Sequence, residues 1–271
     1  MESDDKVVHI LEWRAHSIFM HWFQYVISGL YDLSEEPKPV KFHTSITEDF
    51  QRETLRLLTP DYEFIENLEG YTKISHFGAP CKTLYSVEDH YYHFVREQIL
   101  IKNNLEINTP PFRRIYLRRS RTPMLKHHGN YARRTIMDED KLVEVLETNG
   151  YECLFLEDYS LCDKIRLFQE AELIVSPNGG ALTGCYFSHK DSHIVILSPK
   201  NPGEQHYFHL CNVLSIPNTC YDNLKFLDKD GKVTTHFGIG VPYSMQILDY
   251  DHLLNFLETI KPSQRSNEYK I

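Results

Sequence analysis

The segment SPNGGALTG (residues 176–184) follows the apolar run AELIV (171–175) without a break. A chain that leaves a buried strand through Asn178, Gly179, Gly180, Ala181 and Leu182 is either turning sharply or bringing its backbone against a ligand. If a helix starts there, its first N–H groups point at whatever lies beyond the strand end, which suits an anion. Two arginine pairs point to the same chemistry: Arg118 and Arg119 close the run RRIYLRR (113–119), and Arg133 and Arg134 stand in YARRTIMDE (131–139), read as a long loop before a helix. Guanidinium forks match phosphate oxygens, so arginines around a glycine turn suit a diphosphate. Asp158, just past the apolar run YECLFLE (151–157), is placed to touch a base or a ribose, or else to cap the next helix.

The common nucleotide fingerprints are missing. The turn is neither G-x-G-x-x-G nor a Walker loop, and no G-x-S-x-G nucleophile elbow occurs. A phosphate site without those loops leaves nucleotide-sugar binding as the natural class, with an NAD-dependent or nucleotide-sugar oxidoreductase as a weaker reading. Three D-x-D matches, at 138–140, 228–230 and 249–251, read as structural. The second is a hairpin turn before Gly231, and the other two open helices, where acids suit the dipole. His90/His93 and His206/His209 have a spacing that could hold a metal, but with 15 histidines in the chain, exposed or hydrogen-bonded roles are the expectation.

These residues need elements to place them. RRIYLRR reads as a strand, residues 138–150 as a helix ending on the Asn149-Gly150 stop signal, and YECLFLE as a strand. Next come a helix from Ser160 with Asp163 in a capping-box variant, the strand ELIVS, the glycine turn, a helix-compatible ALTGCYFS, the strand HIVILS and the helix EQHYFHLCNVL. Apolar strands alternating with helices predict a doubly wound parallel sheet. In the first half KVVHIL, PVKFHTS and GYTKISHF read as strands, and 15–33, 47–59 and 88–104 as helices. Thr109-Pro110-Pro111 breaks the pattern. The reading is therefore two α/β lobes, an acceptor-side lobe at 1–108 and a nucleotide-sugar-binding lobe at 109–262. A tail follows at 263–271, and the helix at 249–261 is free to pack back on the first lobe.

Bulk properties narrow the partners. The 271 residues are 41% hydrophobic and 25% charged, with a net charge of −9. An acidic chain is a poor match for nucleic acid. The six cysteines (81, 153, 162, 185, 211 and 220) form no C-x-x-C pair and read as reduced thiols. The acidic start MESDDKVVHI is unlike a secretory signal, and IFMHWFQYVISGLY is too short and too interrupted to span a bilayer. A soluble, cytoplasmic protein is the expectation.

The ordered run IYLRRSR…RRTIMDEDKLVEVLETNGYECLFLEDYSLCDKIRLFQEAELIVSPNGGALTGCYFS…HIVILSPK resembles glycosyltransferase family 61, the β-xylosyltransferase and O-linked N-acetylglucosaminyltransferase family. Residues 134–139 take the place of its R-x-I-x-N-E motif, with Asp138 for the Asn. Residues 178–182 take the place of its H-G-A turn, with Asn178 for the His. Lys164 replaces a usual Gln, and Ile196 a usual acid. SIFMHWFQYVISGL (17–30) resembles the family's H-W-x-x-D helix, with His21-Trp22 in register and Tyr25 in place of the acid.

The resemblance implies a GT-B architecture of two facing Rossmann-like lobes, and an inverting transfer that needs no metal or other cofactor. The donor would be a UDP-sugar, xylose favoured, and the acceptor a hydroxyl of an oligosaccharide or glycoprotein. The residues expected on the donor are Arg118, Arg119, Arg134, Asp158 and residues 178–182, and His21, an imidazole in register with the family's motif, stands first as the base. Asp49, Asp61 and Asp89 are the carboxylate alternatives. A non-catalytic glycan- or nucleotide-sugar-binding module of the same fold is the rival reading.

Overall fold

The computed structural model describes residues 7–11, 19–76, 88–119, 134–198, 205–228, 230–235 and 243–260, with the backbone alone for Arg134, Thr135 and Tyr243. Arg133, Cys81, the N-terminal MESDD and the tail at 263–271 lie outside them. The chain forms two compact units: residues 1–106 with 160–165, and residues 107–159 with 166–271. A single cut near residue 108 cannot give this division. Residues 160–165, the start of a helix, join the first unit because the Leu161 N–H donates to the Glu53 carboxylate and the Lys164 ammonium sits 5.4 Å from the Phe19 ring centre.

The first unit is built on four parallel strands: β1 (Val7–Leu11), β2 (Val40–His43), β3 (Tyr62–Phe64) and β4 (Thr72–His76), in the order β3–β2–β1–β4. The first helical segment starts as α1 (Phe19–His21), widens to a π-helix over Trp22–Ile27 and tightens to a 3-10 helix over Ser28–Leu33. A uniform helix was expected; instead every residue from Trp22 to Leu30 is buried, and the ladder adapts to that packing. Ser28 also turns its hydroxyl back onto the Gln24 carbonyl at 2.5 Å. α2 (Asp49–Leu57) starts on a Glu48-x-x-Gln51 capping box, and α3 (Asp89–Arg96) runs on as a π-helical turn, Glu97–Ile101. Trp22, Phe23, Leu30, Phe42, Val95 and Ile99 form the fully buried centre.

The second unit has a five-stranded, wholly parallel sheet: β5 (Arg113–Leu117), β7 (Glu152–Leu154), β8 (Ala171–Pro177), β9 (His193–Leu197) and β10 (Asn218–Tyr221), in the order β10–β9–β8–β5–β7. A second sheet, β11 (Leu224–Leu227)–β12 (Tyr243–Ile247)–β6 (Arg134–Ile136), stands beside it. Its strands are short and the pairing of β12 with β6 is distant in sequence, so of this unit's strands only β5, β7, β8 and β9 were expected. The helices are α4 (Glu139–Thr148), α5 (Leu161–Glu170), α6 (His206–Val213) and α7 (Tyr250–Thr259). The expected caps hold: the Ser160 hydroxyl donates to Asp163 at 2.6 Å and accepts from its amide at 3.1 Å, and Gly150 closes α4 at φ +82°.

Tyr116, Leu173, Val175, Val195 and Leu197 face one core with Leu142, Leu146 and Met245. The alternate residues Ile115, Leu117, Ile174, Ile194 and Ile196 are fully buried on the other face. α7 sinks Leu253 and Leu257 into this same second core. The three D-x-D matches are structural in position. Asp249 caps α7, 138–140 begins α4, and Asp228 accepts from the amides of Asp230 and Lys232 in a turn through Gly231.

Candidate functional site

In the second unit the chain passes from β5 outward to β7, then returns across β5 to β8 and continues to β9 and β10. The winding direction therefore reverses between β5 and β8. Beyond the carboxyl ends of two such strands the crossovers leave to opposite sides and open a crevice, which is where ligands of doubly wound sheets sit. Arg118 and Arg119 follow β5, and Asn178 and Gly179 follow β8. Parallel pairing of Tyr116 with Val175 brings these two segments to the same edge.

They touch there. A Cβ on Gly179 would lie 1.7 Å from Arg119 Nη1 and 3.0 Å from its Cζ. Gly179 has φ 169°, extended backbone that any residue adopts, so its small size serves the arginine and not the turn. Asn178 is fully buried: its amide N–H goes to the Leu197 carbonyl at 3.1 Å, and its Nδ2 donates to Ser198 Oγ at 3.3 Å. It ties the turn to β9. The next eight residues, Gly180–Phe187, form a 3-10 helix whose first internal bond runs from Leu182 N to Gly179 O at 2.9 Å. The amides of Gly180 and Ala181 precede that bond, where helix donors have no intrahelical acceptor. Gly180 is exposed, with nothing within 4 Å of a Cβ position, while Leu182 is fully buried and anchors the helix.

Arg118 is held differently. Its Nη2 donates to Asp140 Oδ1 at 2.7 Å and lies 3.7 Å from Glu139 Oε2, and its guanidinium stands 4.5 Å from the centre of the Phe155 ring. Arg118, Asp138, Glu139, Asp140 and Lys141 line an open pocket of about 550 Å³. Glu139 also accepts the Tyr116 phenol at 2.8 Å and the Arg119 amide at 3.4 Å. Burial, with the Glu139 carboxylate beside it, pushes the Tyr116 phenol well above its ordinary range, so it stays a donor.

Asp158 ends a short 3-10 turn, Leu156–Asp158, after β7; it is exposed and one strand from the arginines. Arg134 lies on β6 opposite Tyr243, in the separate three-stranded sheet and not in a loop. The structure thus brings together Arg118, Arg119 and residues 178–182, with Asp158 on the same edge.

In the first unit the predicted bases are dispersed. His21 is half-buried, its ring edge-on to Tyr25 at 5.2 Å. Asp49 and Asp89 open α2 and α3, where a carboxylate suits the dipole, and Asp61 lies 4.0 Å from Lys102. This sheet has its own reversal, between β1 and β4, and there His9 Nδ1 and His76 Nε2 are 2.8 Å apart. The sequence reading missed this pair, as it missed Glu139 and Ser198. Histidines inside a strand pattern carry no spacing signal, whereas Glu139 was visible in the R-x-I-x-N-E resemblance but was assigned to the helix start. Among the described residues no group of three or more His, Cys, Asp or Glu is placed to hold a metal, and no helix is long and apolar enough to cross a membrane.

No curated protein matches the chain. The family model Glycosyltransferase 61 matches residues 19–195, well over half of the chain, and this span holds the helix of His21, both arginines and the glycine turn. By that match the chain belongs to glycosyltransferase family 61.

Proposed function

We propose that the chain transfers a sugar, xylose favoured, from a UDP-sugar to a hydroxyl of an oligosaccharide or glycoprotein, in the cytoplasm, with inversion and without a metal. On this reading the two units are the lobes of a GT-B enzyme, the first on the acceptor and the second on the donor. The observation that carries the donor side is the Arg119 guanidinium lying on Gly179 at the reversal between β5 and β8. A cation and the leading amides of a helix there would face a departing diphosphate. Arg119, Arg118 and the amides of Gly180 and Ala181 would take up its developing charge. Asn178 fixes the turn through Ser198, and Asp158 meets the ribose or base.

The acceptor oxygen would attack the anomeric carbon opposite the diphosphate. The new carbon–oxygen bond forms as the bond to phosphate oxygen breaks, and the hydroxyl proton passes to a base of the first unit. His21 stands first, ahead of Asp49, Asp61 and Asp89; the His9–His76 pair is the alternative that the fold adds.

Thermal unfolding in EDTA with UDP, UDP-xylose, UDP-N-acetylglucosamine, GDP-sugars and NAD tests the reading, because a ligand of the folded state raises Tm by mass action. Stabilisation by UDP and by UDP-xylose above the others is expected. Stabilisation by none of the UDP compounds refutes it. A second reading, a module that binds but does not turn over, is favoured by Asn178 being buried and bonded to Ser198 where family members carry a His. UDP release from a bound UDP-sugar in the presence of glycan acceptors separates the two.

A further inference from the structure

We propose that Glu139 is the positioning residue of the donor site, the group that aims Arg119 at the glycine turn. This rests on the donor reading above. β5 ends at Leu117, and the last sheet-type hydrogen bond on this side runs from Arg118 N to Leu154 O at 2.8 Å. The next amide, Arg119 N, goes to Glu139 Oε1. The same oxygen accepts the hydroxyl of Tyr116, whose ring is fully buried in the second core, while Oε2 faces the Arg118 guanidinium.

One carboxylate therefore fixes the end of the strand at three successive points: the phenol of Tyr116, the charge of Arg118 and the backbone of Arg119. A held Arg119 amide narrows the directions in which its side chain leaves the strand, and the guanidinium ends on Gly179. Glu139 is the first residue of α4, where the helix dipole supports its charge, and its side chain is 18% exposed. Asp140 takes the outer edge of Arg118, so Glu139 remains available to the inner contacts.

A carboxylate that only stapled α4 to β5 would affect stability alone, so the test separates binding from stability. UDP affinity, donor KM and unfolding midpoint are measured for wild type, Glu139→Ala, Glu139→Gln, Glu139→Asp, Tyr116→Phe and Arg119→Ala. Tyr116→Phe loses the phenol hydrogen bond but leaves the Arg119 amide on Glu139, so it lowers stability and keeps UDP affinity. Glu139→Ala weakens UDP binding by about tenfold or more, raises donor KM accordingly, and adds little to Arg119→Ala in the double variant. Glu139→Gln retains an acceptor oxygen for both N–H and O–H donors and restores affinity to within about threefold of wild type. Should Glu139→Ala not fold, Glu139→Asp, one methylene too short to meet both donors, carries the same expectation.

A folded Glu139→Ala or Glu139→Asp protein with wild-type UDP affinity overturns the proposal while leaving the donor reading intact. Equal loss of affinity in Tyr116→Phe overturns it too. Failure of the wild type to bind UDP, a UDP-sugar or inorganic pyrophosphate overturns the donor reading, and the proposal with it.

Discussion

The guanidinium of Arg119 occupies the space that a side chain at residue 179 would need, with Nη1 1.7 Å from the Cβ position of Gly179. The glycine and the arginine are one feature: the glycine is small so that the cation can lie across the turn.

Gly179→Ala should therefore act through Arg119. The atom it meets is the far end of a flexible side chain, so the arginine moves and the fold survives. UDP affinity is expected to fall by about tenfold or more, as for loss of a charge-assisted contact, with the urea midpoint nearly unchanged. Arg119→Ala should lose about as much, and the double variant little more. Additive losses would show that the two residues act separately.

The other glycines of the turn separate packing from binding. At Gly184 a Cβ would stand 2.0 Å from the buried ring of Phe168, so Gly184→Ala overpacks the core and should cost about 1–3 kcal/mol in urea unfolding. At Gly180 the space is open, so Gly180→Ala should leave stability within about 1 kcal/mol of wild type while weakening UDP. Unchanged UDP affinity in folded Gly180→Ala would place the diphosphate elsewhere.

Two histidines set a pH dependence of stability. Burial, then the neighbouring His76, hold His9 below its ordinary value of 6.5 against an opposing pull from Glu36; burial alone lowers His193. A base with a depressed folded pKa binds its proton more readily in the unfolded chain. Its stabilisation is full above 6.5 and is lost as pH falls below that, by at most about 1.4 kcal/mol per pH unit for each group. Urea midpoints should decline from pH 7.5 to 5.5, and His9→Gln should flatten part of that decline. An unaltered slope would remove His9 from the account.

The base is open to a direct test. If His21 takes the acceptor proton, His21→Ala should lower kcat/KM about 10²- to 10⁴-fold and erase the acidic limb of the pH profile. His76→Gln should leave that limb in place. The reverse result would assign the base to the His9–His76 pair, and an intact limb in both would turn attention to Asp49, Asp61 and Asp89.

Much of the fold was legible because its signals are local. The Ser160–Asp163 box, the Asn149-Gly150 stop and the unbroken apolar strands each depend on residues a few positions apart. The three-stranded sheet was not legible, since β6 is three residues long and pairs with a strand more than a hundred residues away. Nor was the division of α5 between units, which depends on Glu53 and Phe19.

The candidate site divides in the same way. The sequence by itself determined that a glycine turn and an arginine pair each follow an apolar strand, because strand ends and turns are written in adjacent residues. Only the tertiary structure decided that those two strands are neighbours at a reversal of winding, that Arg119 and not Arg118 lies on the turn, and that Glu139 holds both. Strand order is a choice among long-range pairings, fixed by burial on both faces of the sheet. No local pattern encodes which two strand ends will meet.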